Sequence, residues 1–103
     1  MLDKGTVIST VSKYADVVSK QLSPAAIVLF GSYAKDEAND DSDIDVAVVF
    51  HGFSGDWLKT ASTLWRLRRG ISYDIEPHLL DTMDDKSGFA QHVFKTGQVI
   101  YQA

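Results

Sequence analysis

The residues best suited to chemistry lie between Phe30 and Val49, in the stretch FGSYAKDEANDDSDIDVAVV. An apolar run closes on Gly31-Ser32, and after ten intervening residues the doublet Asp43 and Asp45 leads into a second apolar run. A glycine at the end of a buried strand lets the backbone turn sharply and come close to a ligand. Ser32 can then cap a short helix over Tyr33–Glu37. A strand, a Gly-Ser turn and a helix start together aim backbone N–H groups and the positive end of a helix dipole at one point, which is how phosphates are commonly bound. Lys35 can add a cation. On an extended strand, residues i and i+2 share a face, so Asp43 and Asp45 project together with Cα atoms roughly 6.7 Å apart. Two carboxylates at that reach can bracket a pair of metal ions about 3.5–4 Å apart. Placed on one face at the mouth of a strand of Val, Ala and Phe, they repel each other and lose hydration unless a cation or a donor compensates. A solvated acidic loop accounts for Asp40 and Asp41 but poorly for Asp45.

The elements that must position these residues can be read from periodicity. Val7, Ile8, Val11, Tyr14, Ala15, Val18 and Leu22 fall on one side of a 3.6-residue repeat and predict an amphipathic helix over Thr6–Leu22, stopped by Ser23-Pro24. Ala25–Phe30 is apolar throughout and suits a strand buried on both faces, central in a sheet. Asn39–Ser42 is a polar loop, and Asp43–Phe50 is the second strand. His51–Gly55 connects to a second helix with an apolar stripe of Trp57, Leu58, Ala61, Leu64 and Trp65, capped by Ser54 or Asp56. Arg66, Arg68 and Arg69 fall in its last turn ahead of Gly70, which suits a helix C-terminus, so a structural role is expected for them.

Ile71–Leu80 alternates as a third strand that ends near Pro77. Asp74 and Glu76 share one of its faces. If this strand lies beside the Asp43-Asp45 strand, one of the two can complete a three-carboxylate cluster. His78 reads as a surface or packed histidine rather than a ligand, and His51 and His92 lack evident partners. Ser87 can cap a last helix that Gly97 stops, and Val99–Tyr101 reads as a short terminal strand.

Length and composition set outer bounds. A chain of 103 residues is expected to form one domain over 1–103, with whatever it acts on binding largely outside it. Hydrophobic residues at 45% and charged residues at 23% are ordinary for a globular protein. With no cysteine, disulfides, thiolate nucleophiles and thiolate metal sites are excluded, leaving oxygen and imidazole ligands for any metal. A net charge of −4 gives no basic footprint for nucleic acid. No signal-peptide pattern and no apolar run long enough to span a membrane are present, so a cytoplasmic location without membrane association is expected.

Gly31-Ser32, the spacing to Asp43-Ile44-Asp45 and the acidic strand that follows resemble the signature of the DNA polymerase beta-like nucleotidyltransferases. In its length the chain is similar to the minimal nucleotidyltransferases, some of which are antitoxins paired with HEPN-type ribonuclease toxins. The resemblance implies an α/β (α+β) fold, with a small mixed sheet of three to four strands flanked by about four helices. It also implies metal-dependent transfer of a nucleoside monophosphate, AMP from ATP or another NTP, to a hydroxyl acceptor. Gly31 and Ser32 would bind the β- and γ-phosphates, with Lys35 and Ser42 in the nucleotide-binding set. Asp43 and Asp45 would hold two Mg²⁺ ions with a third carboxylate. Asp74 keeps the family's hydrophobic-acid-hydrophobic pattern as Tyr-Asp-Ile and Glu76 as Ile-Glu-Pro; both stay open, with Glu76 preferred. Asp36 departs from the glycine many relatives carry there. The implied partner is a HEPN-type toxin or a substrate-binding subunit, in a homo- or hetero-oligomer. The alternative is a non-catalytic antitoxin acting by contact. Transfer to a small molecule or to RNA would require another subunit.

Overall fold

Asp3 opens the first helix. Its carboxylate accepts hydrogen bonds from the Thr6 N–H at 2.9 Å and from Thr6 Oγ1 at 3.0 Å, satisfying an amide that a helix start leaves unpaired. The same bonds hold the Asp3 carboxyl below the usual carboxylate range. In the computed structural model, which describes Met1–Ala103, α1 therefore runs Lys4–Leu22, two residues ahead of the expected start. It ends where Ser23 turns into the left-handed region, its N–H donating to the Ser19 carbonyl. Val7, Val11, Tyr14, Ala15 and Val18 form its buried stripe.

The strands are β1 (Ala26–Phe30), β2 (Ile44–Phe50), β3 (Ile75–Asp81) and β4 (Gln98–Gln102), in the sheet order β3-β2-β1-β4. β1 pairs antiparallel with both β2 and β4, while β2 and β3 are parallel. A parallel pair needs a crossover, and α2 (Trp57–Leu67) supplies it, capped by Asp56 through the Lys59 N–H at 3.0 Å. A 3₁₀ turn, Arg68–Gly70, follows. Arg68 has the structural role expected of it: it donates to the Tyr73 carbonyl and lies over the rings of Trp65 and Tyr73, fixing the approach to β3. The fold is thus the expected mixed α+β sheet, with one difference in helix count. Tyr33–Glu37 forms successive turns in place of a helix, leaving three α-helices and the 3₁₀ turn.

Alternation assigns each face of the sheet its cover. Ile27, Leu29, Ile44, Val46, Val48 and Ile75 pack under α1 and α2. Ala26, Val28, Ala47 and Val49 face Val93 of α3 (Phe89–Thr96). Ser87 was the expected cap of α3, but the Asp85 carboxylate takes the larger part, accepting from the Ala90 and Gln91 N–H groups at 2.8 and 3.1 Å. At Gly97 a Cβ would stand 2.7 Å from the Leu29 and Val93 carbonyl oxygens and from Val28 Cγ1, so only glycine lets the helix end sit directly on β1. Ile71–Asp74 stay outside β3, which continues past Pro77 to Asp81 because Pro77 occupies an edge strand, where a missing N–H need not break the ladder. At the far end of the β2–β3 pair, Asp81 accepts from the amides of Gly52, Phe53 and Met83, which holds its carboxyl below the usual range. No helix is long and apolar enough to cross a membrane.

Tyr14 is fully buried, and its hydroxyl donates to the Leu64 carbonyl at 2.7 Å, tying α1 to α2. Burial pushes the phenol above its ordinary value of 10.0, so its preference for the folded state is intact below about pH 10 and is lost as pH climbs beyond it. Tyr14→Phe should lower stability by about 1 kcal/mol at neutral pH and flatten the alkaline decline. Urea titrations of both proteins at neutral and strongly alkaline pH check this, and an unchanged alkaline slope would mean that other groups drive the decline.

Candidate functional site

β1 ends at Phe30, whose register partner on β2 is Asp45. The chain then turns at Gly31 with φ +75°, a left-handed conformation that suits glycine. A Cβ at position 31 would overlap the Asp45 carboxylate, meeting its Cγ at 3.1 Å. The backbone at Gly31 and the Asp45 side chain are therefore in direct contact. Tyr33, buried in the core, accepts a hydrogen bond from the Leu2 N–H and anchors the loop to the start of α1. The Gly31 and Ser32 carbonyls accept from Lys35 and Glu37, whereas no loop or side-chain hydrogen bond uses the Gly31 or Ser32 N–H. Turns thus stand where a helix start is expected. Lys35 is exposed and makes no ion pair, while Ser42 closes the loop by accepting from the Asn39 N–H at 2.9 Å.

The carboxylates converge through strand register. Asp45 lies opposite Glu76 on β3, and Ala47 lies opposite His78. These positions share the face that α3 covers, but α3 is only eight residues long and reaches only part of it. The end bearing the carboxylates is left open, with side chains 24% exposed for Asp45, 40% for Glu76 and 32% for His78. Asp43 and Asp74 are exposed and sit one residue ahead of β2 and β3, at the same end of the sheet, with the Ile44 N–H donating to the Asp74 carbonyl at 2.8 Å. Asp74 thus belongs to a turn and Glu76 to the strand. Of the expected carboxylates, Asp45 and Glu76 are brought together; Asp43 and Asp74 flank them.

His78 joins this cluster in addition to packing. Its Nε2 lies 3.3 Å from Asp45 Oδ1 and 4.0 Å from Glu76 Oε1, and its ring meets Phe30 edge-on with centroids 5.0 Å apart. The signal that could have found it was parity, since His78 stands two residues beyond Glu76 on the same strand face. His51, by contrast, finds a partner away from the site, the Thr82 hydroxyl at 2.6 Å.

Donor atoms of Asp45, Glu76 and His78 all lie within 4.8 Å of one another. Bonds of about 2.0–2.2 Å place neighbouring donors on a shared cation roughly 3.0–3.6 Å apart. The His78–Asp45 pair, at 3.3 Å, already lies in that range, and two carboxylates with an imidazole are a donor set that suits a divalent cation.

Gly31→Ala should impose about 1–2 kcal/mol of backbone strain and displace the Asp45 carboxylate, weakening Mn²⁺ binding. Gly97→Ala should destabilise the fold and leave Mn²⁺ affinity of the folded protein unchanged. Thermal denaturation with Mn²⁺ calorimetry separates the two, and wild-type affinity in Gly31→Ala would remove Gly31 as the residue that positions Asp45.

Comparison with curated proteins gives no match. Among solved structures, a protein of Sulfolobus solfataricus provisionally assigned as a nucleotidyltransferase is 20% identical, with a TM-score of 0.70 over 96% of this chain and 83% of that one. A toxin–antitoxin solved with AMP-PNP is 23% identical, with a TM-score of 0.61 over 99% of this chain and 75% of that one. A mutant of the toxin–antitoxin MntA-HpeT is 20% identical, with a TM-score of 0.59 over the same shares. At these identities the likeness is one of fold. Residues 12–103 match the family model described as polymerase beta, nucleotidyltransferase. With that match spanning the Gly31-Ser32 turn, the aspartate doublet and the whole sheet, the chain belongs to the polymerase beta nucleotidyltransferase family.

Proposed function

We propose that this chain, acting as one domain over residues 1–103, is a minimal nucleotidyltransferase that moves AMP from ATP to a hydroxyl group of a partner protein. The observation that carries the proposal is the register that sets Asp45 beside Glu76 while the Gly31 backbone presses on the Asp45 carboxylate. That supports a site in which backbone amides for phosphate and carboxylates for metal would meet at one open end of the sheet.

Gly31 and Ser32 bind the β- and γ-phosphates through their unused N–H groups. Exposed Lys35 adds positive charge, and Ser42 completes the nucleotide-binding set beside the doublet. Asp43, Asp45 and Glu76 would hold two Mg²⁺ ions, with Asp74 at the same strand end as the remaining candidate. When bound, the cations neutralise charge on the α-phosphate and on the departing pyrophosphate. The acceptor oxygen forms its bond to the α-phosphorus as the bond to pyrophosphate breaks, and Glu76 takes the hydroxyl proton. No covalent enzyme intermediate is required. The toxin–antitoxin solved with AMP-PNP, an ATP analogue, supports both ATP as the donor and a protein as the partner. A HEPN-type toxin is the partner we assign.

A second reading has its own support. Leu58 is 78% exposed and Trp57 and Trp65 are each 42% exposed, giving α2 an apolar surface for contact, through which a non-catalytic antitoxin could block its partner.

One experiment separates the readings. Co-expressed with the protein encoded beside it and supplied with ATP and Mg²⁺, the wild-type chain should add one AMP to that partner by intact mass. Asp45→Asn should slow this about a hundredfold or more, matching the several kcal/mol that metal-assisted charge stabilisation supplies. Equal labelling by Asp45→Asn would overturn the mechanism. Neutralisation of the partner that survives Asp43→Asn with Asp45→Asn, without labelling by either protein, would establish the contact reading.

A further inference from the structure

We propose that His78 is a metal ligand, and that it biases the site toward Mn²⁺ and similar transition-metal ions over Mg²⁺. The proposal rests on the metal-dependent reading of the preceding subsection and adds to it the identity of one donor and the preference that follows.

The geometry supports direct ligation. His78 Nε2 is 3.3 Å from Asp45 Oδ1, close to the spacing of adjacent donors on one ion, and 4.0 Å from Glu76 Oε1. The ring is braced edge-on against Phe30, which packs in turn against Phe89 with centroids 5.7 Å apart, so rotation of the imidazole is restricted. The backbone reinforces the arrangement. Asp45, Glu76 and His78 come from two hydrogen-bonded strands, and the Gly31 contact limits where the Asp45 carboxylate can go. A ligand set held on strands is more rigid than one on loops.

The preference follows from donor chemistry. Mg²⁺ takes oxygen ligands and water in near-ideal octahedral geometry, whereas a transition-metal ion accepts an imidazole more readily, least so Mn²⁺ and increasingly across the first-row series to Cu²⁺. Two carboxylates and one imidazole would hold the ion, and its remaining positions would be open to phosphate oxygens. A hydrogen-bonding role, in which His78 only orients Asp45, would leave the cation with an all-oxygen shell and no such bias.

Electron spin-echo spectroscopy of bound Mn²⁺ distinguishes these directly, because a ligating imidazole imprints ¹⁴N modulation on the echo. The probe is Mn²⁺ with inorganic triphosphate, which brings no nitrogen of its own, added to wild type, His78→Asn and Asp45→Asn. Wild type should show ¹⁴N modulation, and His78→Asn should lose it while still binding Mn²⁺ about tenfold or more weakly. Calorimetry should show the ratio of Mn²⁺ to Mg²⁺ affinity falling by a similar factor in His78→Asn. Bound Mn²⁺ without ¹⁴N modulation in wild type, or an unchanged affinity ratio in His78→Asn, would overturn the role of His78 and leave the carboxylate site standing. Absence of Mn²⁺ binding in wild type, with binding no different in Asp45→Asn, would overturn both.

Discussion

At position 31 the chain has room for backbone and nothing more, because the Asp45 carboxylate occupies the space a side chain would need. The pairing of Phe30 with Asp45 sets up this contact, and Gly31 with φ +75° permits it. Slipping β1 against β2 by one residue would turn Asp45 toward the core under α1 and bring a hydrophobic residue to the turn. The register is therefore guarded on two sides: by the buried stripe of Ile44, Val46 and Val48, and by the closeness of Gly31 to a carboxylate. The same register, carried across to β3, determines which acid and which imidazole stand beside Asp45.

The open end of the sheet is the second constraint. α1 and α2 seal one face, with Tyr14 bridging them through the Leu64 carbonyl. The opposite face has only the short α3, seated on β1 through Gly97. Polar side chains that would be costly under a helix are tolerable where the cover stops, since they keep part of their hydration. The packing that leaves this face incomplete is what keeps Asp45, Glu76 and His78 partly exposed. Phe30 and Phe89 form the boundary between the closed and open regions, and His78 lies against that boundary.

Much of this was legible in the residues themselves. The apolar stripe of α1, the doubly buried β1 and the glycine before Ser32 each follow from periodicity or backbone chemistry, and parity placed Asp45 on the face opposite Ile44 and Val46. What escaped depends on contacts made across the fold. Tyr33–Glu37 carries helix-compatible residues, yet Tyr33 is drawn into the core and the segment closes as turns. Pro77 suggested that a strand ended, because nothing local reveals that β3 lies at a sheet edge. Asp85, rather than Ser87, caps most of α3 because the loop folds back, and sequence adjacency carries no sign of that. His78 was hidden by the same limit: an isolated histidine on a strand acquires meaning only when register places it across from Ala47, two residues from Asp45 on the same face.

Nucleotidyl transfer by this chain requires phosphate-binding amides and metal-binding carboxylates to meet at the end of β1. A crystal structure with Mn²⁺ and AMP-PNP, using anomalous scattering to locate the metal, tests it most directly. The expected result is an anomalous peak bonded to Asp45 and Glu76, with the β- and γ-phosphates on the Gly31 and Ser32 amides. A triphosphate bound elsewhere, with no peak at Asp45, would contradict it.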